Sequence, residues 1–191
     1  MNWYKRYLQA EKVQPKGDDV GWSYIEIPKN IIKLHSAFTK TIDKKDLYIE
    51  KAEKKGDWSK GIEDDPHITA KYGFDFDDPS KVIKVLEGVD GGFVKIDSID
   101  IFKQDDYDVL VIRCKSKKLN NVHKKLTDDL NIEDKFPEFT PHITIAYFKK
   151  GKANEYKSLA EKHFLNKNLE FEFDKVFFED SKDKVTKIKL E

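Results

Sequence analysis

The sequence predicts an α+β domain, and three observations carry that prediction. Segments with period-two apolar alternation are interleaved with segments at helical spacing, and a polar hairpin-like turn separates neighbouring strand segments. In addition, 13 Phe, 8 Tyr and 3 Trp supply the large apolar side chains that disordered chains of comparable charge lack. A chain of 191 residues is long enough to bury a core as a single domain or a compact two-lobed one. Charged and hydrophobic residues each make up 38%, so the core is expected inside a densely charged surface.

Residues 1–21 mix aromatic and charged side chains and end in the turn-rich run Pro15-Lys16-Gly17-Asp18-Asp19. They read as an N-terminal arm or small lid, with residues 22–191 as the domain proper. Trp22 to Ile27 alternates as a strand and stops at Pro28, after which Ile31, Leu34, Ala37 and Phe38 recur at helical spacing. Beyond Leu47-Tyr48-Ile49 a charged, glycine-bearing loop runs through Gly61, followed by a strand from His67 to Phe74 and a helix from about Ser80 to Leu86. Phe93 to Phe102 and Val109 to Cys114 read as strands around the hairpin-like Gln104-Asp105-Asp106. Leu119, Val122, Leu126 and Leu130 mark a third helix, and Pro137 to Phe148 repeats the His67 strand. A helix from about Asn154 to Phe164 and a closing hairpin, Leu169 to Phe178 with Val185 to Leu190, complete the pattern.

Lys+Arg and Asp+Glu both number 36, so the chain has no bulk basic field to hold long duplex nucleic acid or an anionic membrane. Arg6 and Arg113 are its only arginines, which rules out a site built from several guanidinium forks and leaves phosphate recognition to hydroxyls, imidazoles, backbone amides and lysines. The lone Cys114 cannot form an intrachain disulfide or a thiolate zinc site and fits a reducing cytosol. No segment approaches the ~20 apolar residues of a membrane span, and the N-terminus lacks a signal-peptide apolar region. The expectation is a cytoplasmic protein.

The most informative feature is an internal repeat. Pro66-His67-Ile68-Thr69-Ala70-Lys71-Tyr72 recurs as Pro141-His142-Ile143-Thr144-Ile145-Ala146-Tyr147, identical at five of seven positions. On a strand, a histidine and the threonine two residues later share a face while the intervening isoleucine packs behind them. Two such strands side by side bring two imidazoles and two hydroxyls into one surface. That set suits in-line displacement at phosphorus: one imidazole takes a proton from the attacking oxygen, the other protonates the leaving oxygen, and the hydroxyls hold the non-bridging oxygens without a metal.

The doubled histidine-hydrophobic-threonine pattern resembles the 2H phosphoesterase superfamily, over a core from about Trp22 to Leu190. The resemblance implies a bilobal fold of two pseudo-symmetric lobes, each an antiparallel sheet with helices outside, around a central cleft. It implies metal-free, cofactor-free chemistry on 2′,3′-cyclic phosphates or 2′-5′ and 3′-5′ phosphodiesters, with His67, Thr69, His142 and Thr144 in the four catalytic positions. Within the superfamily, Gly61-Ile62-Glu63-Asp64-Asp65-Pro66-His67-Ile68-Thr69 looks similar to the anti-CBASS phosphodiesterases with which phages destroy cyclic oligonucleotide alarm signals; a phage-encoded enzyme would act in the host cytoplasm.

Trp3, Tyr4, Tyr7 and Trp22 are candidates for stacking on nucleobases, with packing of the arm onto the domain as the other reading. Because a closed aromatic pocket suffices for a small ligand whereas long RNA needs a basic track, the expected partner is a small cyclic nucleotide or short oligonucleotide. An RNA 2′,3′-cyclic phosphodiesterase or RNA end-processing enzyme is the alternative enzyme, and a nucleotide-sequestering protein without turnover the alternative outside enzymes. Tyr72 and Tyr147, opposite the histidines on a regular strand, are expected to be core aromatics, and His35, His123 and His163 structural or surface residues. Glu63-Asp64-Asp65 reads as a solvated turn, and Lys71, Lys149 and Lys150 flank the motifs as weaker candidates for attracting phosphate.

Overall fold

The computed structural model describes residues 20–49, 61–134 and 138–191. Trp3, Tyr4 and Tyr7, the rest of the expected arm up to residue 19, the loop at 50–60 and Pro137 lie outside the described residues. In chain order the elements are β1 (Gly21–Glu26), α1 (Lys29–Thr39), a 3-10 turn (Lys44–Asp46), β2 (His67–Phe74), α2 (Pro79–Leu86), β3 (Gly92–Lys103) and β4 (Tyr107–Lys115). They continue with α3 (Lys117–Asp129), β5 (His142–Lys149), α4 (Ala153–Phe164), a second 3-10 turn (Leu165–Lys167), β6 (Glu170–Phe173), β7 (Lys175–Glu179) and β8 (Val185–Lys189).

Local chemistry sets the element ends. Asp78 accepts a hydrogen bond from the Ser80 amide and Pro79 opens α2, while the Ser116 hydroxyl accepts from the Leu119 amide at the start of α3. Each helix buries one stripe: Ile31, His35 and Phe38 on α1, Val82 and Leu86 on α2, Leu119, Val122 and Leu126 on α3, and Tyr156, Ala160 and Phe164 on α4.

Two four-stranded antiparallel sheets result, ordered β2-β1-β7-β8 and β5-β4-β3-β6. The orders expose a pseudo-two-fold plan. The unit β1-α1-β2-α2 is followed by β3, which lies in the second sheet, and the unit β4-α3-β5-α4 is followed, after the short edge strand β6, by β7, which lies in the first. Helices cross as well, α1 packing on β5 and α3 on β2. Apolar residues of both sheets and all four helices therefore merge into one core, in which Phe74, Phe148, Phe164 and Phe178 are fully buried and contribute about 1.5–3 kcal/mol each by area.

The closing hairpin is not one strand pair. Leu169 to Phe178 divides at Asp174: β6 pairs with β3 in the second sheet, β7 with β1 in the first, and only β7 and β8 form the hairpin. The buried positions mark the break, since Phe171 and Phe173 are odd-numbered whereas Val176 and Phe178 are even-numbered. This one-residue slip in the alternation is where the chain changes sheets.

Candidate active site

The strands carrying the two motifs, β2 and β5, are edge strands of their respective sheets. The segment before β2 is sewn onto the edge of β5, with the Tyr147 amide donating to the Gly61 carbonyl at 2.7 Å and the Glu63 amide to that of Ile145 at 3.1 Å. In return, Lys71 on β2 holds the segment that leads to β5, its Nζ lying 3.1 Å from the Ile132 carbonyl and 2.5 Å from Asp134 Oδ1. The two motifs thus belong to one rigid frame.

Both strands bulge directly after the threonine. Tyr24 pairs with Thr69 but Ser23 with Lys71, leaving Ala70 as the extra residue, and Val111 pairs with Thr144 but Leu110 with Ala146, leaving Ile145. The bulge resets the side-chain phase. Lys71 and Ala146 turn in with the core, while Tyr72 and Tyr147 turn to the face of the histidines. Neither tyrosine is the core aromatic that regular alternation predicts: Tyr72, paired with Trp22, is 46% exposed, and Tyr147 packs with Tyr107 against a separate cluster of Phe102, Val109 and Val111. Lys71 is turned away from the histidine face altogether.

His67 and His142 are held in the same way. His67 Nδ1 lies 2.7 Å from the Asp65 carbonyl and His142 Nδ1 lies 2.8 Å from that of Thr140, each two residues upstream. A carbonyl only accepts, so Nδ1 carries the proton in both rings and Nε2 is left as an acceptor when neutral and a donor when protonated. Thr69 and Thr144 follow at strand spacing on the same face, half-buried like the histidines.

The surroundings differ. Beside His67, Trp22 and Tyr24 stack on each other at 4.4 Å and contact its ring at 4.7 and 5.5 Å, and Tyr24 stacks on Phe177 at 5.4 Å. Carboxylates rim this wall. Burial, followed by the charges of Glu179, Asp65 and Glu26, pushes the Tyr24 phenol up to about 12, so it remains protonated. Beside His142 stand Phe102, edge-on at 4.9 Å, and Arg113, its direct cross-strand neighbour. Desolvation among its neighbours lowers the His142 pKa; the bond to Thr140 opposes this, and the charges of His67 and Arg113 add to it. The residue as a whole remains partly exposed.

Of the sequence candidates, Trp22 joins the four motif residues on this face. Tyr24, Phe177, Phe102 and Arg113 were missed. The alternation from Trp22 to Tyr24 put the first in reach, but Phe177, Phe102 and Arg113 arrive by strand order. Glu63 is partly buried, its carboxyl pKa raised chiefly by desolvation and eased by the charge of His67, so only Asp64 and Asp65 form the expected solvated turn. His35, His123 and His163 are structural, with ring nitrogens 3.1, 2.7 and 3.0 Å from the carbonyls of Thr144, Ala70 and Leu34. Lys149 and Lys150 bond the carbonyls of Lys45 and Asp105. Among the described residues no three His, Cys, Asp or Glu side chains are grouped to hold a metal, and no helix is long and apolar enough to cross a membrane.

Comparison with known proteins gives a match to the model of the 2′-5′ RNA ligase superfamily over residues 63–184. No curated protein sequence matches. The fold is similar to Kluyveromyces marxianus Usb1 with uridine monophosphate, at a TM-score of 0.54 and 8% identity over 91% of this chain and 99% of that one. It is similar to Escherichia coli LigT complexed with NADP+, at 0.53 and 13% over 91% and 95%. TT0787 of Thermus thermophilus shares it at 0.51 and 14% over 90% and 95%. The match spans both histidine strands and well over half of the sequence: the chain belongs to the 2′-5′ RNA ligase superfamily of 2H phosphoesterases, enzymes that act on phosphodiester bonds.

Proposed function

We propose that this chain is a metal-independent phosphodiesterase that cleaves a cyclic di- or trinucleotide by two-histidine acid/base catalysis, in the role of a phage enzyme that destroys a cyclic alarm signal. The observation that carries the catalytic part is the mirrored Nδ1 anchoring of His67 and His142, which leaves both Nε2 atoms available to substrate. The hydroxyls of Thr69 and Thr144 donate to the non-bridging oxygens and hold phosphorus between the rings. His142, held below its ordinary pKa by burial, is neutral at pH 7 and takes the proton of the attacking oxygen. His67 delivers a proton to the ribose oxygen that leaves as the P–O bond breaks. On a 3′-5′ linkage the nucleophile is the neighbouring 2′-hydroxyl and the product ends in a 2′,3′-cyclic phosphate; on a cyclic phosphate the nucleophile is water.

The aromatic wall of Trp22, Tyr24 and Phe177 supports a stacked nucleobase, and its carboxylate rim disfavours a long polyanion running across it. The motif-flanking run Gly61 to Thr69, with its similarity to the anti-CBASS enzymes, supports the cyclic substrate. The family match favours a second reading, an RNA 2′,3′-cyclic phosphodiesterase using the same four residues. Purified protein in EDTA is to be incubated with cyclic di- and trinucleotides, linear 2′-5′ oligonucleotides and RNA ending in a 2′,3′-cyclic phosphate, with products separated by chromatography. Rapid cleavage of the cyclic oligonucleotides is expected. Activity confined to RNA ends moves the protein to RNA processing, and tight binding without turnover makes it a sequestering protein.

A further inference from the structure

The two histidines have direct cross-strand neighbours of opposite charge, Glu26 for His67 and Arg113 for His142. On the first sheet, Glu26 and Glu179 share the face of His67 and Trp22, with Glu63 and Asp65 at the base of the strand; Lys175, Lys187 and Lys189 lie farther out on β7 and β8. On the second sheet, Arg113 stands directly opposite His142 across the β4–β5 ladder, and its guanidinium lies 5.5 Å from the centre of the Phe102 ring that His142 also touches. The Arg113 Nε atom donates to Asp100 Oδ2 at 2.7 Å, which pulls the side chain over β3, away from the edge where β5 meets the other lobe. Asp100 is shared with Lys157, whose Nζ lies 4.0 Å away, so one carboxylate faces two cations. Among the described residues, Nε is the only Arg113 nitrogen with a hydrogen-bond partner.

A guanidinium fixed through Nε presents its two terminal nitrogens as a preset fork for a second anion. We infer that Arg113 binds a second phosphate of the substrate, flanking the scissile one on the side of the second sheet, while the neutral base on the other side stacks against Trp22 and Tyr24. The geometry separates this phosphate from the one under attack, because Arg113 leans toward β3 whereas the histidines and threonines stand on the edge strands. The inference rests on the phosphodiesterase reading and narrows its substrate class: a substrate with a single phosphate leaves Arg113 without a ligand, whereas one with two or more, such as a cyclic dinucleotide or a longer oligonucleotide, supplies one.

The test compares three small probes, the adenylyl dinucleotide ApA and its 5′-phosphorylated and 3′-phosphorylated forms. Dissociation constants are measured in a His67→Ala background to suppress turnover. One phosphorylated form, and not both, is expected to bind about tenfold or more tighter than ApA. That ratio is expected to collapse toward one in Arg113→Gln and to be kept in part by Arg113→Lys. Three equal affinities overturn the inference, as does a gain that survives Arg113→Gln or an Arg113→Gln protein that binds no dinucleotide. Turnover of the same probes by protein with His67 intact is scored separately. Failure to cleave any of them counts against the phosphodiesterase reading, and the affinity ratio still decides the role of Arg113.

Discussion

The Nε2 atom of His35 on α1 lies 3.1 Å from the carbonyl oxygen of Thr144 on β5, a bond from the helix of one repeat to the motif strand of the other. Burial lowers the His35 pKa from its ordinary 6.5, partly offset by that bond and by Asp64. The unfolded chain therefore binds the proton first, so the stability contribution is complete above about pH 6.5 and is lost as pH falls toward the folded-state value. His35→Leu leaves the Thr144 carbonyl without its partner and is expected to cost about 1–3 kcal/mol at pH 7. Thermal melts from pH 7 to 5 should show a lower Tm for the variant but a shallower loss on acidification. The slope should not vanish, because His142 titrates with the same sign. An unchanged slope removes His35 from the acid response.

His67→Ala and His142→Ala are each expected to lower kcat by roughly 10²–10⁴-fold while the far-UV spectrum stays native, since an acid and a base act mainly in the transition state. Near-native turnover by either variant excludes that histidine from the mechanism.

The acidic limb of the kcat/KM profile reports the base that must be deprotonated. With His142 as base, its midpoint should lie below 6.5, in the direction that burial and the neighbouring charges of His67 and Arg113 impose. A midpoint above 6.5 assigns the proton-accepting role elsewhere.

Trp22→Ala or Tyr24→Ala should raise KM about ten- to a hundredfold, the usual loss when one stacking platform for a base is removed, with kcat changed far less. Tyr24→Phe should retain most of the affinity. A fall in kcat at constant KM would show that the wall orients His67 rather than the base.

Lys71→Met tests the seam between the motifs. The Lys71 side chain is 2% exposed and ion-paired with Asp134, which also lies 3.1 Å from His123 Nε2. Losing the ammonium is expected to lower stability by about 1–3 kcal/mol in denaturant titration, because the Ile132 carbonyl and Asp134 Oδ1 lose their donor while Asp134 keeps only its contact with His123. Stability equal to that of the parent chain means the seam is held without Lys71.

Much of the molecule was legible in the sequence. The α+β pattern follows from periodicity, as do Ile31 and Phe38 on α1 and Leu119, Val122 and Leu126 on α3, although Ala37 is exposed and His35 takes its share of the α1 stripe; the duplicated His-x-Thr strands follow from local repetition. The pairing of each histidine with its threonine on one face needs only the two-residue period of a strand, which acts within three residues. The fate of Tyr72, Tyr147 and Lys71 was not legible: Ala70 and Ile145 carry no glycine-like mark of a bulge, and one extra residue inverts every face beyond it. Sheet membership depended on Asp174, where a slip in the alternation sends β6 and β7 to different sheets. The sequence by itself thus determined most of the elements, part of the core and the four-residue catalytic candidate set. Only the tertiary structure decided what surrounds each histidine, because Trp22 and Tyr24, with Phe177 stacked on Tyr24, meet His67, and Phe102 and Arg113 meet His142, through pairings between strands distant in the chain.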